Sequence, residues 1–357
     1  MKNILMMHYD LFFYRVPFYN LLQKELQKRN VNLIIWAYSI QDGIDINEIN
    51  FELIDGKDLK VNLKNYNNII NNHKIDKVIN FLQPNQPGYF FYISFILFTI
   101  VKNKSIIYYG HGVNLEKNNA CSNFIYNLLH IFYNKIILYS PNEKNYLWDM
   151  HQAKIEIASN TLCLDSYFLM PDSEKYIQKD RLSIKHDSTV ILFSGRITKN
   201  KNLKSLLEIF EDFKKNSLLN IELVIVGPGL NDSNKNIVDN NSLIHYLGPI
   251  YSKSDMASIF SISDVFCIPG HIGLGLVEAF YWGVPVITCN VKHAPEVYYL
   301  KDGFNGYIVD NDAELSKKII DLTSHSLLKT LSKNAFSTYR ESASPDKMLD
   351  AFIKVLT

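Results

Sequence analysis

The sequence predicts an α/β protein built on two doubly wound parallel sheets. Three features predict it. Short apolar runs of strand length alternate with amphipathic stretches of helical spacing. In the C-terminal half a glycine closes the runs, as at Gly195, Gly227, Gly248 and Gly270. A length of 357 residues is enough for two domains, each with its own core.

From the N-terminus, residues 4–8 form an apolar strand too short for a signal-peptide core, since His8 and Asp10 interrupt it. Pro17 suits the first turn of a helix, with Phe18, Leu21, Leu22 and Leu26 on one face. Residues 31–38, 77–82, 105–109, 136–139 and 154–158 read as further strands. Residues 89–101 are the longest apolar run, yet fall short of the roughly 18 residues a bilayer span needs. They predict a buried helix, with an in-plane membrane contact as the alternative. Residues 160–187 have no period and read as an interdomain link.

The C-terminal half is more legible. A strand at 190–193 runs into Gly195, and Asn202 is a candidate N-cap for a helix carrying Leu203, Leu206, Leu207 and Phe210. Strand, glycine turn and helix start make an anion site, and Arg196 and Lys201 add charge to the same turn. Further strands follow at 221–226 (closed by Gly227-Pro228-Gly229), 243–247 (closed by Gly248), 265–268 (closed by Pro269-Gly270) and 285–288. Helices are expected at 252–263, at 274–282 before Gly283, and at 345–356. Ligands of such sheets sit beyond the carboxyl ends of the strands. The glycine turns therefore line one rim, and a nucleoside diphosphate is its natural guest.

The motifs Ser194-Gly195-Arg196 with Lys201, Gly227-Pro228-Gly229, Gly273-Leu274 before Glu278-Ala279-Phe280, 283–287 (Gly-Val-Pro-Val-Ile) and Pro295-Glu296-Val297 with 302–306 occur in this order. The chain here resembles glycosyltransferase family 4. The resemblance implies the GT-B fold, with two Rossmann-like doubly wound domains facing an interdomain cleft. It implies an N-terminal acceptor-side domain over 1–165, a linker over 166–187 and a nucleotide-sugar domain over 188–340. A helix over 341–357 would then return to the first domain. It also implies a retaining, nucleotide-sugar-dependent transferase.

The candidate donor site comprises Gly195, Gly227, Gly229, Gly270, His271, Gly273, Leu274 and Glu278, with Arg196 and Lys201 as catalytic cations. An acid at Glu278, in an apolar helix, is costly unless it binds something. The resemblance implies that it accepts the ribose hydroxyls. The family's first Glu, eight positions earlier, is Gly270 here. Backbone N–H groups of residues 269–273 or the imidazole of His271 are the candidates to replace it. Gly110-His111-Gly112 exposes His111 at a strand end, and the resemblance implies that it lies near the reacting sugar. Asp10 and Arg15 follow the first strand. Arg15 either meets an anionic acceptor or braces Asp10. Glu296 either caps its own helix or reaches the donor. Asp310-Asn311-Asp312 imitates a metal motif, but its place before a helix reads as capping.

No metal or other cofactor is required by any of these patterns. A formal net charge of +1 gives no argument for nucleic acid. Cys121, Cys163, Cys267 and Cys289 are widely separated, which fits reduced thiols in a cytoplasmic protein. The expected activity is sugar transfer to a saccharide or lipid-linked saccharide in cell-surface polysaccharide assembly, at the inner membrane face. The alternatives are an epimerase or phosphorylase of the same fold, or an inactive nucleotide-sugar-binding module. A nicotinamide dehydrogenase is weaker, because the first glycine of the chain is Gly43.

Overall fold

A computed structural model describes residues 2–41, 44–58, 62–81, 89–115, 119–164, 171–216 and 219–357. The chain divides into two units, residues 1–163 with 344–357, and residues 164–343.

Unit 1 carries β1 (Lys2–Leu11), β2 (Val31–Ile40), β3 (Glu52–Asp55), β4 (Ile75–Asn80), β5 (Ser105–Gly110), β6 (Lys135–Leu138) and β7 (Ile155–Ile157). They form one parallel sheet in the order β3-β2-β1-β4-β5-β6-β7. Side chains of a strand alternate between faces, so β1 feeds two cores. Ile4 and Met6 pack with Phe18, Leu22 and Leu26 of helix Val16–Gln27. Leu5 and Met7 pack with Tyr66, Ile69 and Ile70 of helix Leu63–Asn72 and with Phe95 of helix Tyr89–Val101. Helix Pro345–Leu356 completes the first of these cores. Its Phe352 ring lies 5.3 Å from that of Phe18 and 4.9 Å from that of Tyr109. The Lys77 ammonium donates to the carbonyls of Val355 and Leu356 at 3.2 and 2.8 Å, satisfying orphan groups at the helix end.

Unit 2 carries β8 (Thr189–Ser194), β9 (Ile221–Val226), β10 (Ile244–Tyr246), β11 (Val265–Cys267), β12 (Val286–Cys289) and β13 (Gly306–Val309). They too are parallel, in the order β10-β9-β8-β11-β12-β13. All six residues of β9 are buried, as a sheet covered on both faces requires. Both sheets reverse strand order once, at β1/β4 and at β8/β11, which places the crevices of the fold.

The structure departs from the sequence expectation at several places. β3 was not expected, because only two of its four residues, Leu53 and Ile54, are apolar and none is fully buried. β13 opens on a glycine, whose added Cβ would stand 2.0 Å from the Val286 carbonyl oxygen. A helix, Asp172–Arg181, lies within the segment read as an irregular link, and its mostly polar sequence shows no apolar stripe. Asn202 occupies the N-cap position of helix Leu203–Lys214, but in the left-handed region at φ 52° and with no side-chain cap bond. Its geometry is set by a tight turn at Lys199–Lys201 that the sequence pattern does not reveal.

Candidate active site

The rim of unit 2 begins where β8 runs into Gly195. The rim loops are laced to one another by backbone bonds. The Gly195 N–H donates to Val226 O at 2.9 Å, Ile197 to Pro228 O at 2.8 Å, and Gly227 to Gly248 O at 2.8 Å. Gly227, at φ 139°, has no room for a side chain, since a Cβ there would sit 2.2 Å from the Gly195 oxygen. A Cβ on Gly229 would stand 2.7 Å from the Ile197 oxygen. These glycines serve loop-on-loop packing, and the N–H groups of Gly195 and Gly227 are spent inside the protein.

Lys201 folds back across the first turn, its Nζ 3.3 Å from where a Cβ on Gly195 would lie. The ammonium is half-buried, and burial lowers its pKa. Arg196 is exposed beside it. Among the described residues neither cation has an ion-pair partner. Glu278 sits in the first turn of helix Gly275–Tyr281. It is half-buried with no cation against it, and burial pushes its carboxyl up to about 7. The rim therefore holds separated charges that nothing else in the described protein neutralises.

The 269–274 loop works differently from the sequence expectation. The Gly270 N–H donates to Lys201 O at 3.1 Å and the His271 N–H to Asn200 O at 2.7 Å. The Ile272 N–H donates to His293 Nδ1 at 3.2 Å. A Cβ on Gly270 would stand 2.0 Å from Asn200 O, so this glycine is needed for the protein's own backbone contact. The first three N–H groups after Pro269 are thus closed to a donor. Gly273 and Leu274 follow, and Gly273 has ordinary room, with Ala294 Cβ at 3.5 Å and the Glu296 carboxylate at 3.9 Å. Glu296 is buried. The His271 ring donates from Nδ1 to Lys292 O at 3.0 Å, which leaves Nε2 of the neutral ring as an acceptor. His293 carries no local signal in the sequence. Only the fold brings it across to Ile272.

A cavity of about 500 Å³ lies beside this loop, between the 200–202 turn, His271, Lys292 and residues 310–312. The capping residue there is Asn311, whose side chain accepts from the Glu314 N–H at 3.0 Å. Asp310 accepts from Asn290 Nδ2 at 3.1 Å and Asp312 from Ser205 Oγ at 2.5 Å. Capping by the two aspartates is thereby corrected: they flank the cap. Among the described residues no group of three or more His, Cys, Asp or Glu side chains could hold a metal ion.

In unit 1, His111 follows β5. Its Nδ1 lies 2.6 Å from Glu143 Oε1, and the other Glu143 oxygen accepts from the Ser140 N–H at 2.9 Å. Glu143 is buried and closes a capping box on the turn Pro141–Tyr146. It thereby fixes the imidazole and leaves Nε2 available. The sequence reading missed Glu143, although Ser140-Pro141-x-Glu143 is a legible capping box. Asp10 accepts from Ser39 Oγ, and no ion pair joins it to Arg15, so Arg15 does not brace it.

Two parallel-sheet Rossmann-like units, one bearing a cation-rich rim, define the class: the GT-B fold of glycosyltransferases. Residues 174–338, most of unit 2, match the family model "Glycosyl transferases group 1", so this unit carries that domain. Over 196 residues the chain is 27% identical to an alpha-monoglucosyldiacylglycerol synthase of Acholeplasma laidlawii, covering 52% of this chain and 48% of that protein. Over 208 residues it is 24% identical to a lipopolysaccharide 1,2-N-acetylglucosaminetransferase of Salmonella typhimurium, covering 52% and 53%. The match thus spans about half the length of these relatives. The crystal structure of Anabaena Alr3699/HepE in complex with UDP superimposes with a TM-score of 0.72 at 14% identity, covering 100% of this chain and 99% of that one.

Proposed function

We propose that the protein is a retaining glycosyltransferase of family 4. It moves a sugar from a nucleoside-diphosphate donor to a hydroxyl of a saccharide or lipid-linked saccharide in cell-surface polysaccharide assembly. The observation that carries this reading is the charge layout of the unit 2 rim. A half-buried ammonium (Lys201) and an exposed guanidinium (Arg196) await an anion, and a half-buried carboxylate (Glu278) has no cation of its own among the described residues. A nucleoside diphosphate supplies both complements, phosphate oxygens for the cations and ribose hydroxyls for the carboxylate.

In this reading the bond from the anomeric carbon to the β-phosphate oxygen breaks, and negative charge grows on the leaving diphosphate. Arg196 and Lys201 stabilise that charge from fixed positions. The acceptor hydroxyl attacks on the face the diphosphate leaves, and its proton passes to the departing phosphate oxygen. Gly273, Leu274 and the Nε2 atom of His271 contact the donor. His111, its ring fixed by Glu143, is the catalytic residue assigned to unit 1. The cations supply what a metal would, so none is required. The UDP of the Anabaena complex favours a uridine donor.

The diacylglycerol-linked and lipopolysaccharide products of the two relatives favour a lipid-linked acceptor at the cytoplasmic face of the membrane. An exposed apolar face supports peripheral contact there. Leu97, Ile100 and Val101 end helix Tyr89–Val101. Phe124, Ile125, Leu128, Ile131 and Phe132 lie along and just past helix Ala120–His130, and all are exposed. The helices are neighbours, since Ile96 and Tyr126 share one buried cluster. Residues 89–104 and 119–135 contain no acidic residue and carry Lys102, Lys104 and Lys135, which suits an anionic lipid surface. Among the described residues no helix is long and apolar enough to cross a membrane.

The test is transfer from UDP-sugars by the parent protein and by two variants. Arg196→Ala and Lys201→Ala should each lower turnover at least about tenfold, with the melting temperature little changed. Parent-like turnover in both would sink the phosphate assignment.

A further inference from the structure

Unit 1 has its own crevice at the point where its sheet reverses strand order, between the carboxyl ends of β1 and β4. A cavity of about 210 Å³ lies there, lined by Arg15, Asp10 and His8 and by the rings of Tyr14, Phe81 and Tyr139. Arg15 is only 8% exposed. A guanidinium keeps its charge at every pH the fold survives, and burying a charge without a counter-ion is costly. Among the described residues no carboxylate forms an ion pair with it. Nη1 donates to Tyr109 Oη at 3.3 Å, and the rings of Tyr14 and Tyr139 lie 5.5 and 5.6 Å from its central carbon. Tyrosine faces and hydroxyls ease the burial but do not neutralise it. His8 brings no further cation, because burial and the Arg15 charge push it down to about 3. One oxygen of the Asp10 carboxylate accepts from Ser39 Oγ, and the carboxylate keeps acceptor capacity for a further hydroxyl donor.

We propose that this cavity binds an oxyanion carried by the acceptor, a carboxylate or a phosphate, with Arg15 as its counter-ion. The guanidinium takes two oxygens side by side. Aromatic walls cover the apolar face of the attached sugar or linker, and Asp10 reads a hydroxyl. This deepens the glycosyltransferase reading and rests on it, by giving the acceptor a charge.

The test uses the full chain saturated with UDP, so that added anions do not report on Arg196 and Lys201. Matched probes are glucuronate against methyl glucoside, and farnesyl phosphate against farnesol. Binding is followed through the side-chain signals of ¹⁵N-labelled arginine, of which the chain has five. The charged member of one pair should bind at least about tenfold more tightly than its neutral match and shift the Arg15 signal. The pair that does so distinguishes a sugar carboxylate from a lipid phosphate. Arg15→Gln should abolish the difference, Arg15→Lys should keep part of it, and UDP affinity should be equal in all three proteins. Equal binding of charged and neutral probes, an unmoved Arg15 signal at saturation, or a charge preference surviving in Arg15→Gln would each overturn the proposal. If Arg15→Gln fails to fold, the parent signal and Arg15→Lys decide it. UDP affinity of the parent tests the donor reading separately.

Discussion

Burial of Glu278 costs stability, and its pH behaviour shows how. Burial raises its carboxyl from 4.5 to about 7. A raised folded-state value means that the stabilising form is the protonated one. That contribution is complete below about 4.5 and is lost as pH rises through about 7. Glu278→Gln imitates the protonated form. Without ligand it should melt higher than the parent at pH 8, with the gap closing toward pH 4.5 in a thermal-shift series. Its affinity for UDP should fall, because an amide accepts fewer ribose hydroxyls than a carboxylate does. Calorimetry that finds equal affinities would remove Glu278 from the site. Asp310 and Asp312 give the opposite expectation. Asn311 already caps its helix, so Asp310→Asn with Asp312→Asn should cost little activity, and transfer should survive EDTA. Activity lost in EDTA and restored by Mg²⁺ would show that a metal acts there.

At the scale of the element, the 269–274 loop and the 199–202 turn behave as one piece. Two backbone bonds and the absence of a Cβ at Gly270 hold them together, and Lys201 is the last residue of the short helical turn Lys199–Lys201. Gly270→Ala should therefore displace Lys201, costing about 1–3 kcal/mol of stability by overpacking and weakening UDP binding in the same variant. Gly273→Ala has ordinary clearance and should be near neutral in stability, so any loss of donor affinity there reports contact with the donor. Equal tolerance at both glycines, read by melting temperature and UDP titration, would refute the coupling of loop and turn.

At the scale of the whole molecule, the exposed apolar side chains within residues 97–101 and 124–132, in segments without an acidic residue, form a surface that the cores of the described residues leave unused. Replacing Phe124 and Leu128 with Glu should abolish cosedimentation with vesicles rich in anionic lipid. Melting should be unchanged, since both side chains are already exposed. Added salt should weaken the parent's binding through Lys102, Lys104 and Lys135. Parent protein that ignores such vesicles would leave this face without a membrane role.

The alternating strands and helices were legible because burial on both faces of a parallel sheet demands continuous apolar runs, as at residues 190–193 of β8, and because helices repeat their apolar faces. The sequence also singled out Arg196, Lys201 and His111, as charges or an imidazole near a strand-end glycine, and Glu278, as an acid inside an apolar helix. What it could not decide was where each polar group spends its bonds. The Gly270 and His271 N–H groups turn inward to Lys201 and Asn200, Glu143 orients His111 from 32 residues away, and Arg15 meets tyrosines instead of Asp10. A local pattern fixes which groups exist and on which face they lie. Hydrogen-bond partners and counter-ions come from strands far apart in the chain, and only the packed sheets bring them together.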